Sequence, residues 1–167
     1  KLIDDVLDIS KIDAGKMHFN KGEYDVVSLI NTAAQSALVN KKPGVDIMVE
    51  TRVEHLMIAT DRERLLQVLA NLLNNAKKCT DSGKITISLD QYPEQRMIKI
   101  SVSDTGCGIP VEKAEEVFER FKKLDAFRQG TGLGLAICKL IVEELGGKIW
   151  VDTDYTDGAR FVFTHPM

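Results

Sequence analysis

The sequence predicts an α/β fold of the α+β two-layer kind. A mixed sheet of about five strands carries about three helices on one face and is preceded by an N-terminal helix. Two observations carry this prediction. Segments of helical period and segments of strand period are interleaved along the chain, and the last four strand segments form two hairpin-like pairs. There is no internal repeat and no low-complexity stretch.

Residues 1–18 read as a helix, because Leu2, Val6, Ile9 and Asp13 recur at four-three-four spacing and Ile3 and Leu7 widen the apolar stripe. Such a stripe needs a partner. Gly15 and Gly22 then loosen the chain into a short connector. A second helix covers about residues 26–39 and stops at Lys41-Lys42-Pro43-Gly44. Val45, Ile47 and Val49 alternate as a strand, and residues 56–59 form a short one. Asp61 opens a long helix to about Thr80, ended by Asp81-Ser82-Gly83. Ile85/Ile87/Leu89 and Ile98/Ile100/Val102 make a hairpin turning near Pro93. A short acidic helix is expected near residues 111–119, and a last helix over residues 133–145 stops at Gly146-Gly147. Strands over residues 148–153 and 159–164, turning at Asp157-Gly158, complete the chain.

With 44% hydrophobic and 28% charged residues, the 167-residue chain has the composition of an ordinary globular domain and can bury a full core. A formal net charge of -3 leaves no basic footprint for nucleic acid. No apolar run approaches the roughly 20 residues of a membrane span, so no membrane contact is expected of this segment. Cys79, Cys107 and Cys138 form no CxxC pair, which predicts free thiols in a reducing, cytoplasmic setting and no zinc site. The chain opens at Lys1, inside a helical pattern and without an initiator methionine. It is therefore expected to be cut from a longer protein, which can itself be anchored in the inner membrane.

Three features carry chemistry. On the helix from Asp61, Leu65, Leu69, Leu72, Leu73 and Ala76 fill the core side, while Asn71, Asn75 and Lys78 share a narrow arc at its edge. An amide oxygen suits a hard cation such as Mg²⁺, and an ammonium meets phosphate as a point charge. Taken alone, the same residues also suit the polar flank of any core helix. Strand alternation next places Asp104 on the apolar face of Ile98, Ile100 and Val102, where a carboxylate requires a partner. The glycines of Thr105-Gly106-Cys107-Gly108 allow close approach, so Asp104 is suited to an adenine amino group, although Asp-Gly turns are common. Third, Gly130-Thr131-Gly132-Leu133-Gly134 opens a helix, where free N–H groups favour phosphate. Neither a P-loop nor the GxGxxG fingerprint is present.

In this order, these elements resemble the catalytic ATP-binding domain of sensor histidine kinases, within the superfamily of gyrase, heat-shock chaperones and mismatch-repair ATPases. Asn71-Leu72-Leu73-Asn74-Asn75-Ala76 matches the N box, and Asp104-Thr105-Gly106-Cys107-Gly108-Ile109-Pro110 the first glycine box. Phe118-Glu119-Arg120-Phe121 matches the F box, and Gly130-Thr131-Gly132-Leu133-Gly134-Leu135 the second glycine box. Leu7-Asp8-Ile9-Ser10-Lys11-Ile12-Asp13-Ala14-Gly15 resembles the end of the family's dimerisation helices. The implied domains are therefore residues 1–20, the end of that helical hairpin, and residues 21–167, the catalytic domain.

The resemblance implies ATP and Mg²⁺ as ligands and Asn71, Asn75 and Lys78 as the catalytic set. Asn75 would ligate Mg²⁺, with Asn71 and Lys78 near the triphosphate. Asp104 would read the adenine amino group in a pocket lined by Gly106 and Gly108, while Gly132 and Gly134 would flank the phosphates. Ile109, Phe121, Lys123, Gly130, Thr131 and Leu133 complete the expected nucleotide-binding set. Residues 118–130 would form a mobile lid, whose Lys122, Lys123 and Arg128 either neutralise the γ-phosphate or are simply solvated. The sequence departs from the family at Cys79 and Lys122, where an aromatic is usual.

Clamp-type relatives that hydrolyse ATP place a glutamate, as general base, four residues before the metal-binding asparagine. Here that residue is Asn71, which takes no proton at neutral pH. The implied reaction is therefore transfer of the γ-phosphoryl group to a histidine on an upstream helix, of the same protein or its dimer partner, and onward to a response regulator receiver domain. Alternatives are a degenerate nucleotide-binding docking module and a related protein-serine kinase of the anti-sigma type. His18, His55 and His165 read as incidental surface residues, so the acceptor is expected outside this segment.

Overall fold

The computed structural model describes residues 1–123 and 130–167. Among them the elements run α1 (Leu2–Asp13), β1 (Lys21–Asp25), α2 (Val26–Ala37), β2 (Val45–Thr51), β3 (Met57–Asp61), α3 (Arg62–Cys79), β4 (Gly83–Tyr92), β5 (Met97–Asp104), α4 (Gly134–Glu144), β6 (Ile149–Val151) and β7 (Arg160–Pro166). The main sheet has the order β2-β4-β5-β7-β6. It is mixed: β2 runs parallel to β4, and the remaining pairs are antiparallel. β1 and β3 form a separate antiparallel ribbon.

Aspartates start the two helices that follow this ribbon. Asp25 Oδ1 accepts from Val27 N at 3.1 Å, and Asp61 Oδ1 accepts from Arg64 N at 3.0 Å, each satisfying an N–H that the first helical turn leaves orphaned. Asp61 Oδ2 also accepts from Asn20 N at 2.7 Å, tying the start of β1 to the start of α3.

The period-2 and period-3.6 patterns meet in one core. Ile85, Ile87, Ile98, Ile100 and Phe163 from the sheet pack with Leu65, Leu69, Leu72 and Ile137 from the helices, all essentially inaccessible. Each such side chain contributes about 1.5–3 kcal/mol on burial. α2 lies over β2, α3 over β4 and β5, and α4 over β6 and β7, so these helices cover one face. The opposite face runs Glu50, Ser88, Ser101, Val162 and Trp150 in register across the strands.

Several details differ from the sequence reading. The first helix ends at Asp13, with Ala14 as its cap and Gly15 at φ 62°, a left-handed turn that suits glycine. The connector behind it contains β1, whose sequence Lys-Gly-Glu-Tyr-Asp shows no apolar alternation and is held as a strand by pairing with β3. The acidic helix expected near residues 111–119 is two separate 3₁₀ turns, Val111–Lys113 and Glu116–Phe118. His165 is no surface residue: it is 2% exposed, and its Nε2 lies 3.0 Å from Thr60 Oγ1.

Candidate functional site

The edge of α3 and the loop that opens α4 enclose a cavity of about 210 Å³. Its walls include Asn71, Asn75, Lys78, Asp104, Ile109, Lys123, Gly130, Thr131, Gly132 and Gly134. Twelve of the residues singled out in the sequence, these ten with Cys79 and Lys122, thus come together from four separate segments. The periodicity of α3 turns Asn71, Asn75 and Lys78 to one side. Asn71 is buried and Asn75 half-buried, while Lys78 reaches solvent. Partial loss of hydration, together with the nearby ammonium groups of Lys1 and Lys123, pushes Lys78 below the ordinary lysine range.

The second glycine loop approaches that edge closely. A Cβ on Gly134 would sit 3.4 Å from Asn71 Oδ1, and one on Gly130 would sit 3.5 Å from Lys78 Nζ. Gly132 has φ 73°, and a Cβ there would meet the Phe121 backbone at 2.8 Å. Phe121 N donates to Gly132 O at 2.7 Å, with Phe121 itself in the left-handed region at φ 62°. The backbone at the end of the F box therefore clasps the glycine loop, while the Phe121 ring is 68% exposed and outside the cavity wall. Leu133 also lies off the wall, buried in the core, with its N–H donating to Thr131 Oγ1 at 3.2 Å.

At the other end of the cavity, Asp104 is 3% exposed. Its Oδ1 accepts from Gly106 N at 2.9 Å and from Ala159 N at 3.2 Å, which fixes the carboxylate and offsets the cost of burying it. Gly106 and Gly108 serve as close-approach points behind this wall. A Cβ on Gly106 would strike the Cys79 carbonyl oxygen at 2.3 Å, and one on Gly108 would meet Gly158 O at 3.3 Å. Cys79 itself lines the cavity, as does Lys122.

Sequence reasoning missed Lys1, Lys113, Glu116, Val117, Leu135, Ala159 and Phe161 in the wall. Phe161 had a detectable signal, since it lies on the apolar face of a predicted strand. Phe118 supports it in an edge-to-face contact with ring centroids 6.1 Å apart. Lys1, Lys78, Lys113, Lys122 and Lys123 outnumber Asp104 and Glu116, making the wall suitable for a polyanion. Arg128 and the middle of the expected lid, residues 124–129, lie outside the described residues.

Among the described residues, no group of three or more His, Cys, Asp or Glu side chains is placed to hold a metal ion. The Asn75 amide oxygen in a lysine-rich cavity fits a different arrangement. Mg²⁺ there would take a single protein oxygen and complete its shell with phosphates and water.

The family described as Histidine kinase-, DNA gyrase B-, and HSP90-like ATPase matches residues 60–167. The sensor histidine kinase WalK of Bacillus subtilis is 34% identical over 99% of this chain, which spans 28% of that protein. Hybrid signal transduction histidine kinase D of Dictyostelium discoideum is 36% identical over the whole chain, which spans 11% of it. The chain therefore covers less than a third of the length of these relatives. Among solved structures, full-length ShkA in complex with AMPPNP superposes with a TM-score of 0.87 at 28% identity, over 99% of this chain and 35% of ShkA. The catalytic domain of histidine kinase ThkA superposes with a TM-score of 0.74 at 34% identity, over 89% of this chain and 96% of that domain. A mixed sheet under one helical layer, a cavity between an asparagine-bearing helix and a glycine loop, and these similarities place the chain in the histidine kinase-, DNA gyrase B- and HSP90-like ATPase family, as a catalytic domain of the sensor histidine kinase type.

Proposed function

We propose that this domain binds Mg-ATP in the cavity between α3 and the 130–134 loop and transfers its γ-phosphoryl group to a histidine on a helix outside residues 1–167, in the same protein or its dimer partner. Residues 1–20 are then the end of the dimerisation hairpin and residues 21–167 the catalytic domain. The acceptor is expected to pass the phosphoryl group on to a response regulator, in line with the solved complex of ThkA with the response regulator TrrA.

The convergence of Asn71, Asn75, Lys78 and Asp104 on one cavity carries this reading. Asp104 accepts a hydrogen bond from the adenine amino group, with Ile109 and Phe161 giving the base apolar contact. Asn75 would hold Mg²⁺ through its amide oxygen, and the ion would supply charge screening for the phosphate oxygens. Asn71, near Gly134, and Lys78, near Gly130, position the triphosphate, while Lys122 and Lys123 neutralise its outer charge. Asn71 cannot deprotonate water at neutral pH, so the site preserves the phosphoryl group for a stronger nucleophile.

His165 is buried, His18 and His55 are exposed, and none of the three lines the cavity. This supports an acceptor outside residues 1–167. No helix among the described residues is long and apolar enough to cross a membrane.

Calorimetric titration with ATP, with and without Mg²⁺, tests the reading on this chain and on Asn75→Ala. Magnesium-dependent binding should appear in the first and disappear in the second. Absence of nucleotide binding under both conditions would overturn it, and stoichiometric acid-labile phosphate on this chain alone would overturn the assignment of an outside acceptor.

A further inference from the structure

The sequence Asp152-Thr153-Asp154-Tyr155-Thr156-Asp157-Gly158 joins β6 to β7 and contains an aromatic in an otherwise polar turn. The connection does not hang free. The ladder continues past the strand ends, with Asp152 N donating to Arg160 O at 2.9 Å and Asp104 N to Ala159 O at 2.8 Å. Gly158 rides directly on the Asp104 peptide, where a Cβ would stand 2.1 Å from Asp104 O.

Tyr155 makes the most specific of these contacts. Its hydroxyl donates to Asp104 O at 2.8 Å, across 51 residues of sequence. The ring lies under the Arg160 guanidinium, 4.2 Å from Cζ to the centroid. Arg160 is itself held, with Nε donating to Ser103 Oγ at 2.8 Å and Nη1 lying 3.4 Å from Asp152 Oδ2. Burial raises the phenol above its ordinary range, so the hydroxyl remains a donor at neutral pH.

Asp104 is thus pinned at three main-chain or side-chain points: its N–H by Ala159, its Oδ1 by Gly106 and Ala159, and its C=O by Tyr155. The first two belong to the strand and the glycine turn. The third depends on one hydroxyl from a loop, and it restrains rotation of the peptide that follows the carboxylate. We infer that Tyr155 is a positioning residue for base selection: its hydrogen bond to the Asp104 carbonyl holds the carboxylate in the orientation that favours a purine bearing a 6-amino donor over one bearing a 6-oxo acceptor. The inference rests on the reading of Asp104 as the group that meets the base.

The test compares Mg²⁺-ATP with Mg²⁺-inosine triphosphate, which lacks the amino donor, by calorimetry on this chain, Tyr155→Phe and Asp104→Asn. Tyr155→Phe keeps the ring beneath Arg160 and removes only the hydroxyl. It should lower the ATP-to-inosine-triphosphate affinity ratio by about three- to tenfold, the value of one net hydrogen bond, with inosine triphosphate binding little changed. Asp104→Asn, which retains an acceptor for Gly106 and Ala159, should collapse the ratio. A Tyr155→Phe protein that melts cooperatively but keeps the ratio, or loses both nucleotides in equal measure, would overturn the inference while Asp104 keeps its role. An unchanged ratio in Asp104→Asn would remove the reading of Asp104 itself, and the role of Tyr155 with it.

Discussion

Thr131 Oγ1 donates to Asp5 Oδ2 at 2.9 Å, joining the glycine loop of the cavity to the first helix across 126 residues of sequence. Asp5 is the buried residue of α1, while Leu2, Ile3, Val6 and Leu7 point to solvent. The helix docks through its acidic residues and through Ile9, which packs against the core. Asp8 accepts from Gln67 Nε2 at 2.9 Å and from Arg64 Nη1 at 3.3 Å, and Asp13 receives both Arg120 Nη atoms, at 2.9 and 2.6 Å. Leu2, Ile3, Val6 and Leu7 of its apolar stripe remain exposed.

Asp5→Ala should loosen the first turns of α1 without melting the core, because Asp8 and Asp13 still hold its second half. Hydrogen exchange of the amides of residues 2–7 is expected to rise, while α3 and β5 keep their protection. Exchange that rises equally throughout would show that α1 is part of the global folding unit.

Gly134→Ala should weaken Mg-ATP binding by about tenfold or more while costing little stability. The new methyl would stand 3.4 Å from Asn71 Oδ1, an ordinary van der Waals contact that strains nothing but narrows the space beside the expected triphosphate. Calorimetry for affinity and urea unfolding for stability separate the two effects. Unaltered affinity would show that the loop and Asn71 adjust independently.

The three thiols should react in a fixed order. Cys107 is exposed and labels first with a maleimide, whereas Cys79, half-buried in the cavity wall, labels slowly and is protected by Mg-ATP. Cys138 is fully buried, and burial pushes its thiol up to about 12, with a hydrogen bond from Asn71 acting the other way, so it reacts only on unfolding. In a Cys107→Ser background, nucleotide-insensitive labelling of Cys79 would place ATP away from this wall.

Stability should fall in two steps on acidification. Burial holds His165 below its ordinary range, partly opposed by its contact with Pro166 O and reinforced by Lys21. The unfolded chain then takes up the proton first, so this contribution is complete above about pH 6.5 and declines as pH falls toward the folded value. Asp25 acts lower. The Leu56 N–H, followed by His55, holds its carboxyl well below the usual range, so its contribution is lost only below about pH 4. Urea unfolding across pH should show the first step removed in His165→Gln and the second unchanged there. A single step for both proteins would contradict this assignment.

The angular positions of Asn71, Asn75 and Lys78, and the position of Asp104 at the end of an apolar face, were legible in the sequence. Helical and strand periods place side chains within a window of a few residues, whatever the rest of the chain does. The core face of α3 and the β4–β5 hairpin followed for the same reason. Other features arise only when distant segments meet. β1 is a strand because β3 supplies its hydrogen bonds. His165 is buried because Thr60 and the ribbon cover the end of β7. Gly134 lies close to Asn71, Tyr155 bonds Asp104, and Asp5 reaches Thr131, at separations that no local pattern encodes. Such contacts depend on how whole elements pack, and the tertiary structure alone decided them because each needs two surfaces that the sequence records separately.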